Sequence, residues 1–327
     1  MVREIMIPLT FGLALFIFGM KMMELALQAW AGPVLTRLLN ASTATPLKGM
    51  LFSTIVTALL QSSTAVTVMT IGLVNAGLLT YGRTLGIILG GNIGTCLTTE
   101  LIALQLTRMG FPLLLLSLCI WFAAVAFKER LPAGLARYAS LLDSVQHASL
   151  AGAGFSLVLT AISWMQSTGG ALQAYGLIDW FTKQAESSIL WGVLAGAALA
   201  ALVHSSAAVI GLAMGLAASG AFPVPLGIAV VIGSNVGTCV TALIASIGST
   251  RSGRFVAWSH ILLNVCGALL FLPFIPELEA LSAWLSPEAS SQIAHSQTLF
   301  NVLSSLLALP VCYLPVWKRL DQSNSKD

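Results

Sequence analysis

The chain of 327 residues is 57% hydrophobic and only 8% charged, with a mean hydropathy of +0.91. A soluble domain of this length needs far more charged surface, and a net charge of +3 is too small to point to a nucleic-acid partner. Apolar runs long enough to cross a bilayer, about 20 residues each, recur from end to end, so the whole chain reads as an all-α membrane protein.

The first run, 9–27, has no small-residue cleavage site and continues as a span rather than a signal peptide. Lys21 and Glu24 sit near its inner end, where they can pair or snorkel, and a structural role is expected of them. Further runs fall at 49–79, 85–107, 111–127, 147–165, 188–220, 226–248, 254–275 and 297–317. All five cysteines, Cys96, Cys119, Cys239, Cys266 and Cys312, lie inside apolar runs. They read as buried thiols with no disulfide or metal spacing.

Runs 49–79 and 188–220 are too long for one span, and small polar residues interrupt both near the middle. They align without a gap at an offset of 143 residues. Gln61-Ser62-Ser63-Thr64 meets His204-Ser205-Ser206-Ala207, and Asn92-Ile93-Gly94-Thr95-Cys96 meets Asn235-Val236-Gly237-Thr238-Cys239. From Gly49 to Thr98 there are 17 identities in 50 positions, which marks an internal duplication.

If the two long runs are re-entrant hairpins and every other run crosses, an outside N-terminus leaves Arg37, Lys48, Arg83, Lys128, Arg130, Arg137, Arg251, Lys318, Arg319 and Lys326 inside. Only Arg3, Arg108 and Lys183 then fall outside, a clear positive-inside bias with the C-terminus cytoplasmic. On this arrangement the two copies start from opposite faces, so the repeats are inverted. The expected units are 1–140, 141–276 and a C-terminal span and tail at 277–327. From Gly49 to Gln61 the chain rises about 18 Å as helix, somewhat past the middle of a ~30 Å hydrocarbon core. Both tips would therefore reach mid-membrane from opposite sides.

Backbone that leaves helix at membrane depth must be buried in protein or line a cavity. A helix restarting there aims free N–H groups and a positive dipole end at the midplane, which suits an anion. Gln61, Ser62, Ser63, Thr64, His204, Ser205 and Ser206 are the candidate anion ligands. Asn92, Gly94, Thr95 and Thr98, with Asn235, Gly237, Thr238 and Thr241, read as unwound helix offering hard oxygen ligands to sodium. No Lys or Arg lies near either tip in sequence, so co-bound cations are expected to neutralise the anion. His260 and Asn264 are echoed by Gln297 and Asn301 at an offset of 37, and Glu100 is an intramembrane acid. These five are additional candidates.

At these motifs the chain resembles the type II sodium-phosphate cotransporter family, in which each of two inverted repeats carries a Gln-Ser-Ser-Ser-like hairpin followed by a Gly-x-Asn-Ile-Gly-Thr segment. The resemblance covers roughly residues 5–317. It implies sodium-coupled movement of inorganic phosphate in the plasma (inner) membrane by alternating access, with phosphate on the hairpins and sodium at the Asn-Gly-Thr segments. It also implies a homodimer, no cofactor beyond the co-transported sodium, and no enzymatic activity. His204 in place of a second Gln, and Ala207 in place of a third hydroxyl, depart from the family pattern. Sulfate, arsenate or a dicarboxylate are alternative cargoes, and a membrane lipid-phosphate phosphatase is the enzyme alternative.

Overall fold

A computed structural model describes residues 2–42, 44–104, 106–132, 138–176, 182–183 and 188–324. Of the basic residues counted for orientation, Arg137 and Lys326 lie outside this set. Among the described residues all regular structure is helical. The longer helices are α1 (Ile7–Ser42), α2 (Pro46–Leu60), α3 (Ser63–Asn75), α4 (Tyr81–Gly94), α5 (Cys96–Ala103), α6 (Gly110–Glu129) and α7 (Ala139–Gln166). The short α8 (Gly169–Ala174) precedes α9 (Leu190–Val203), α10 (Ser206–Ala218), α11 (Val224–Gly237) and α12 (Cys239–Ala245). Then come α13 (Arg251–Phe271), α14 (Ile275–Leu285), α15 (Ala289–Ala308) and α16 (Pro315–Asn324).

Six stretches are long and apolar enough to cross a membrane, and Ala289–Tyr313 with Pro315–Asp321 makes a seventh when that bent pair counts as one span. They fall on the seven runs expected to cross. The exterior is apolar: Phe111, Phe127, Ile247 and Trp284 are each exposed by 65% or more, which lipid tolerates and water does not. The chain is an all-α membrane protein. Two of the thiols expected to be buried, Cys119 and Cys266, are exposed. Lying in an apolar run did not bury them, because half of a lipid-facing helix points outward.

The two interrupted runs form α2–α3 and α9–α10, helices of 13 to 15 residues. At 1.5 Å per residue each is only about 20 Å long, too short to span alone. Pro46, Met50 and Thr54 of α2 approach Gly86, Gly90 and Gly94 of α4 in the same order, so α2 and α4 run together. Helix α3 then returns from the far end of α4 to its start, where Gly77 turns the chain at φ +71°. In the second copy Val193 and Ala197 of α9 meet Gly233 and Gly237 of α11, and Gly220 turns the chain at φ +72°. Each of these pairs is shifted by 143 from its counterpart, so the duplication extends from sequence into packing.

These glycines also correct one expectation. Gly94 and Gly237 were read as unwinding their helices, yet both α4 and α11 stay helical to that residue. A Cβ at Gly94 would lie 2.6 Å from the Thr54 carbonyl oxygen, and one at Gly237 would overlap that of Ala197. Glycine is there so that the hairpin's first helix can press its backbone against α4 or α11. The break that follows each is a single turn residue, Thr95 or Thr238.

Between the copies lie α13 and α15. Ser252 of α13 is 3.2 Å from the Tyr81 hydroxyl, and Asn264 accepts from the Asn92 amide at 3.3 Å, so α13 runs with α4. Towards the second copy, the Cys239 thiol points to the His260 carbonyl, and Phe271 shares an apolar cluster with Ile228, so α13 runs against α11 and α12. Helix α15 does the converse. Ser291, Gln297 and Ser305 meet the carbonyl of Ala103, the thiol of Cys96 and the carbonyl of Leu89 in turn. The main apolar core gathers Phe16, Ile162, Met165, Ile210, Met214, Leu226 and Ile293 where α1, α7, α10, α11 and α15 meet.

Adding a methyl at Gly90 or Gly233 drives a Cβ into the carbonyl oxygen of Met50 or Val193. Gly90→Ala and Gly233→Ala should each destabilise the purified protein by about 2–3 kcal/mol. Gly72→Ala, with open space around it, should not. Thermal unfolding midpoints in one detergent measure the difference.

Candidate functional site

Helix α2 ends because Gln61 takes a left-handed conformation at φ 54°, and α9 ends in the same way at His204, φ 56°. Among the described residues these are the only non-glycine residues with positive φ. That conformation carries a steric penalty for any residue with a Cβ. The next residue of each tip is an extended serine that caps the returning helix. Ser62 Oγ accepts from the Ala65 N–H at 3.1 Å, and Ser205 Oγ from the Ala208 N–H at 3.2 Å. The remaining N–H groups at the starts of α3 and α10 lack the partner a continuous helix would give them.

Both tips open on one central cavity of about 180 Å³. Its wall includes Gln61 to Thr64, Val203 to Ala207, Thr95 and Thr98 from the first helix break, and Thr238 and Thr241 from the second. The two copies meet here: Thr64 Oγ1 donates to Thr241 Oγ1 at 3.5 Å. All seven hairpin candidates therefore line one chamber, together with the four threonines predicted to bind cations.

The tips are held unequally. Gln61 donates to the Ala58 carbonyl at 2.5 Å and accepts from Thr98 Oγ1 at 2.6 Å, which ties the first tip to α5. His204 has no side-chain hydrogen bond among the described residues.

Other sequence candidates stand behind the chamber wall. Asn235 is buried and donates to the Val231 carbonyl of its own helix. Asn92 joins Asn264, whose own amide donates to the His260 carbonyl. Gln297 accepts from Thr99 at 2.5 Å, and the Asn301 amide points to the Cys96 sulfur. These bonds stitch α13 and α15 to the helix breaks. Glu100 is not at the chamber. It accepts from Thr298 at 2.5 Å and pairs with His295, bracing α5 to α15.

Two residues expected to pair near the end of a span do pair, and they do so at the chamber. Lys21 and Glu24 of α1 both line it. Glu24 is 13% exposed and Lys21 64%. The statement that no basic residue lies near the tips holds along the chain and fails in space. One turn of α1 brings the Lys21–Glu24 pair to the chamber wall, and along the chain its only signal is an i, i+3 charged pair inside an apolar run.

A bundle of spans in which two capped helix starts face each other across a small polar chamber is the architecture of a membrane transport protein. Comparison with known sequences narrows this. The model of the Na+/Pi-cotransporter family matches residues 15–167 and again 157–275, and the chain belongs to that family. It is 31% identical to "Uncharacterized protein YqeW" of Bacillus subtilis, over 95% of both chains. It is 28% identical to "Putative inorganic phosphate export protein YjbB" of Escherichia coli, over 78% of this chain and 44% of that one. It is 34% identical to "Sodium-dependent phosphate transport protein 2A" of Rattus norvegicus, over 30% of this chain and 16% of that one. No solved structure matches the chain.

The two caps are equivalent in kind, but Ser62 also donates to Glu24 at 2.5 Å, and among the described residues Ser205 has no such acceptor. Losing a serine cap costs about 1 kcal/mol, and losing a hydrogen bond to a charged group about 1.5–3 kcal/mol. Ser62→Ala should therefore lower the unfolding midpoint more than Ser205→Ala, read by thermal unfolding under matched conditions.

Proposed function

We propose that the protein is a sodium-coupled secondary transporter of inorganic phosphate that works by alternating access in the plasma (inner) membrane. One observation carries the reading. Two helix N-termini, each with a serine cap, converge on one pocket lined by hydroxyls between two copies of one motif. Such a chamber offers hydroxyl and N–H donors to a small oxyanion, with the positive ends of two helix dipoles behind them. The family to which the chain belongs, and the phosphate transport in the names of two relatives, support phosphate as the cargo.

In this reading Ser62, Ser63, Thr64, Ser205, Ser206 and His204 contact phosphate directly, and Gln61 sets the tip on which the first serines sit. Sodium is the co-transported ligand. Its ligands are oxygens of the helix breaks, the hydroxyls of Thr95, Thr98, Thr238 and Thr241 with carbonyls from the segments of Asn92, Gly94, Asn235 and Gly237. Asn264 and Asn301, with His260 and Gln297, fix those segments from behind. The repeats are inverted in the membrane, with the N-terminus outside. The opposite directions of α4 and α11 along α13 support that inversion. The protein works as a homodimer and needs no cofactor beyond the sodium it carries.

Purified protein in proteoliposomes should take up radiolabelled phosphate only when a sodium gradient is imposed. Ser205→Ala, whose hydroxyl has no acceptor among the described residues to lose, should cut the initial rate roughly tenfold, the equivalent of about 1.4 kcal/mol of lost binding. Uptake that is indifferent to sodium would end the coupling claim. Full inhibition by equimolar sulfate or a dicarboxylate, with phosphate ineffective, would end the cargo claim.

A further inference from the structure

The anion chamber already contains an oxyanion group. Glu24 reaches in from α1, and its carboxylate takes three donors. Oε1 accepts from the Ser62 hydroxyl at 2.5 Å and the Gln28 amide at 2.9 Å, and Oε2 from the Lys21 ammonium at 2.6 Å. Ser62 thus spends its one hydroxyl hydrogen on Glu24 and its acceptor capacity on the N–H of Ala65. It has no hydrogen left for a visiting anion. Ser205, the equivalent serine of the second tip, caps its helix in the same way, and among the described residues its hydroxyl hydrogen has no acceptor. One tip is free and the other is filled from within.

We propose that Glu24 is an internal competitor for the anion site, and that Lys21 is the fixed positive charge that an incoming oxyanion takes over from it. The proposal rests on the reading of the chamber as the phosphate site. Three observations support it. The group on Ser62 has the same chemistry as the expected cargo, oxygens carrying negative charge. Its other charged partner, Lys21, is largely exposed on the same chamber wall and sits on a flexible stem, so it can follow a new anion without moving α1. And the Glu24–Lys21 pair is neutral as it stands, so an anion that enters while the carboxylate keeps its lysine gains no net positive charge from the pair. Binding exchanges one oxyanion for another on Ser62, and no covalent step is involved.

The test is equilibrium binding of radiolabelled inorganic phosphate to the full chain in lipid nanodiscs at constant sodium. Glu24→Gln keeps the size of the side chain and removes its charge, and Glu24→Ala serves as a second variant if the first does not fold. Either should tighten phosphate binding several-fold, on the order of tenfold at most, whereas Lys21→Gln should weaken it by about tenfold. In a Ser62→Ala background the gain from Glu24→Gln should shrink by the part owed to the contested hydrogen, leaving only the part owed to the freed Lys21. A Glu24 role confined to bracing α1 would not produce that dependence. Weaker phosphate binding in Glu24→Gln, or an equal gain with and without Ser62, overturns the competitor. Unchanged affinity in Lys21→Gln overturns the charge transfer. Wild-type protein that binds no phosphate overturns the reading of the chamber, and this proposal falls with it.

Discussion

The structure depends on one constraint: a backbone N–H or C=O in an apolar medium must have a partner, and a continuous helix is the simplest way to provide one. The two duplicated copies interrupt their helices at four matching places, the two tips and the turns at Thr95 and Thr238. Each break frees polar groups that lipid cannot satisfy. All four are gathered around one chamber, where serine caps, threonine hydroxyls and polar contents can meet them. The chamber exists because the breaks need it, and its donors are available because the helices were interrupted.

Holding four breaks together takes close helix packing, and the packing here uses glycine rather than bulk. Gly86, Gly90 and Gly94 on α4, with Gly233 and Gly237 on α11, let a neighbouring backbone settle directly against them. In lipid the hydrophobic effect does little to drive one apolar helix onto another, so close contact and dispersion carry more of the association. The hairpins are thereby seated on rigid partners. That fixes where Ser62 and Ser205 stand relative to each other, although 143 residues separate them in sequence.

Much of this was legible in the sequence. The seven crossing runs, the two interrupted ones and the duplicated motifs follow from hydropathy and a constant offset, both of which the chain records directly. The meeting of the two serine tips near mid-membrane was inferred from symmetry, and the structure adds Thr98 and Thr241 to the same chamber. Three things were not legible. The reason for glycine at positions 94 and 237 lies in which backbone approaches them, and spacing alone cannot separate unwinding from close contact. The exposure of Cys119 and Cys266 depends on helix rotation, for which an all-apolar helix carries no pattern. Lys21 and Glu24 were placed at the end of a span because α1 was read as ending near residue 27. The hydrogen bond from Ser62 to Glu24 puts the pair at the first tip, a contact between residues 38 apart that hydropathy does not record.

The two tips differ in their fastenings: Gln61 is tied to Thr98, and among the described residues His204 carries no such tie. In a molecule of two identical halves, conformations that exchange the roles of the halves would be equally populated. Unequal fastening lifts that degeneracy, and about 1.4 kcal/mol is enough to favour one conformation tenfold. Under the proposed alternating access, the duplication would supply two matching jaws, and the amide–hydroxyl contact at Gln61 would give the pair a resting position.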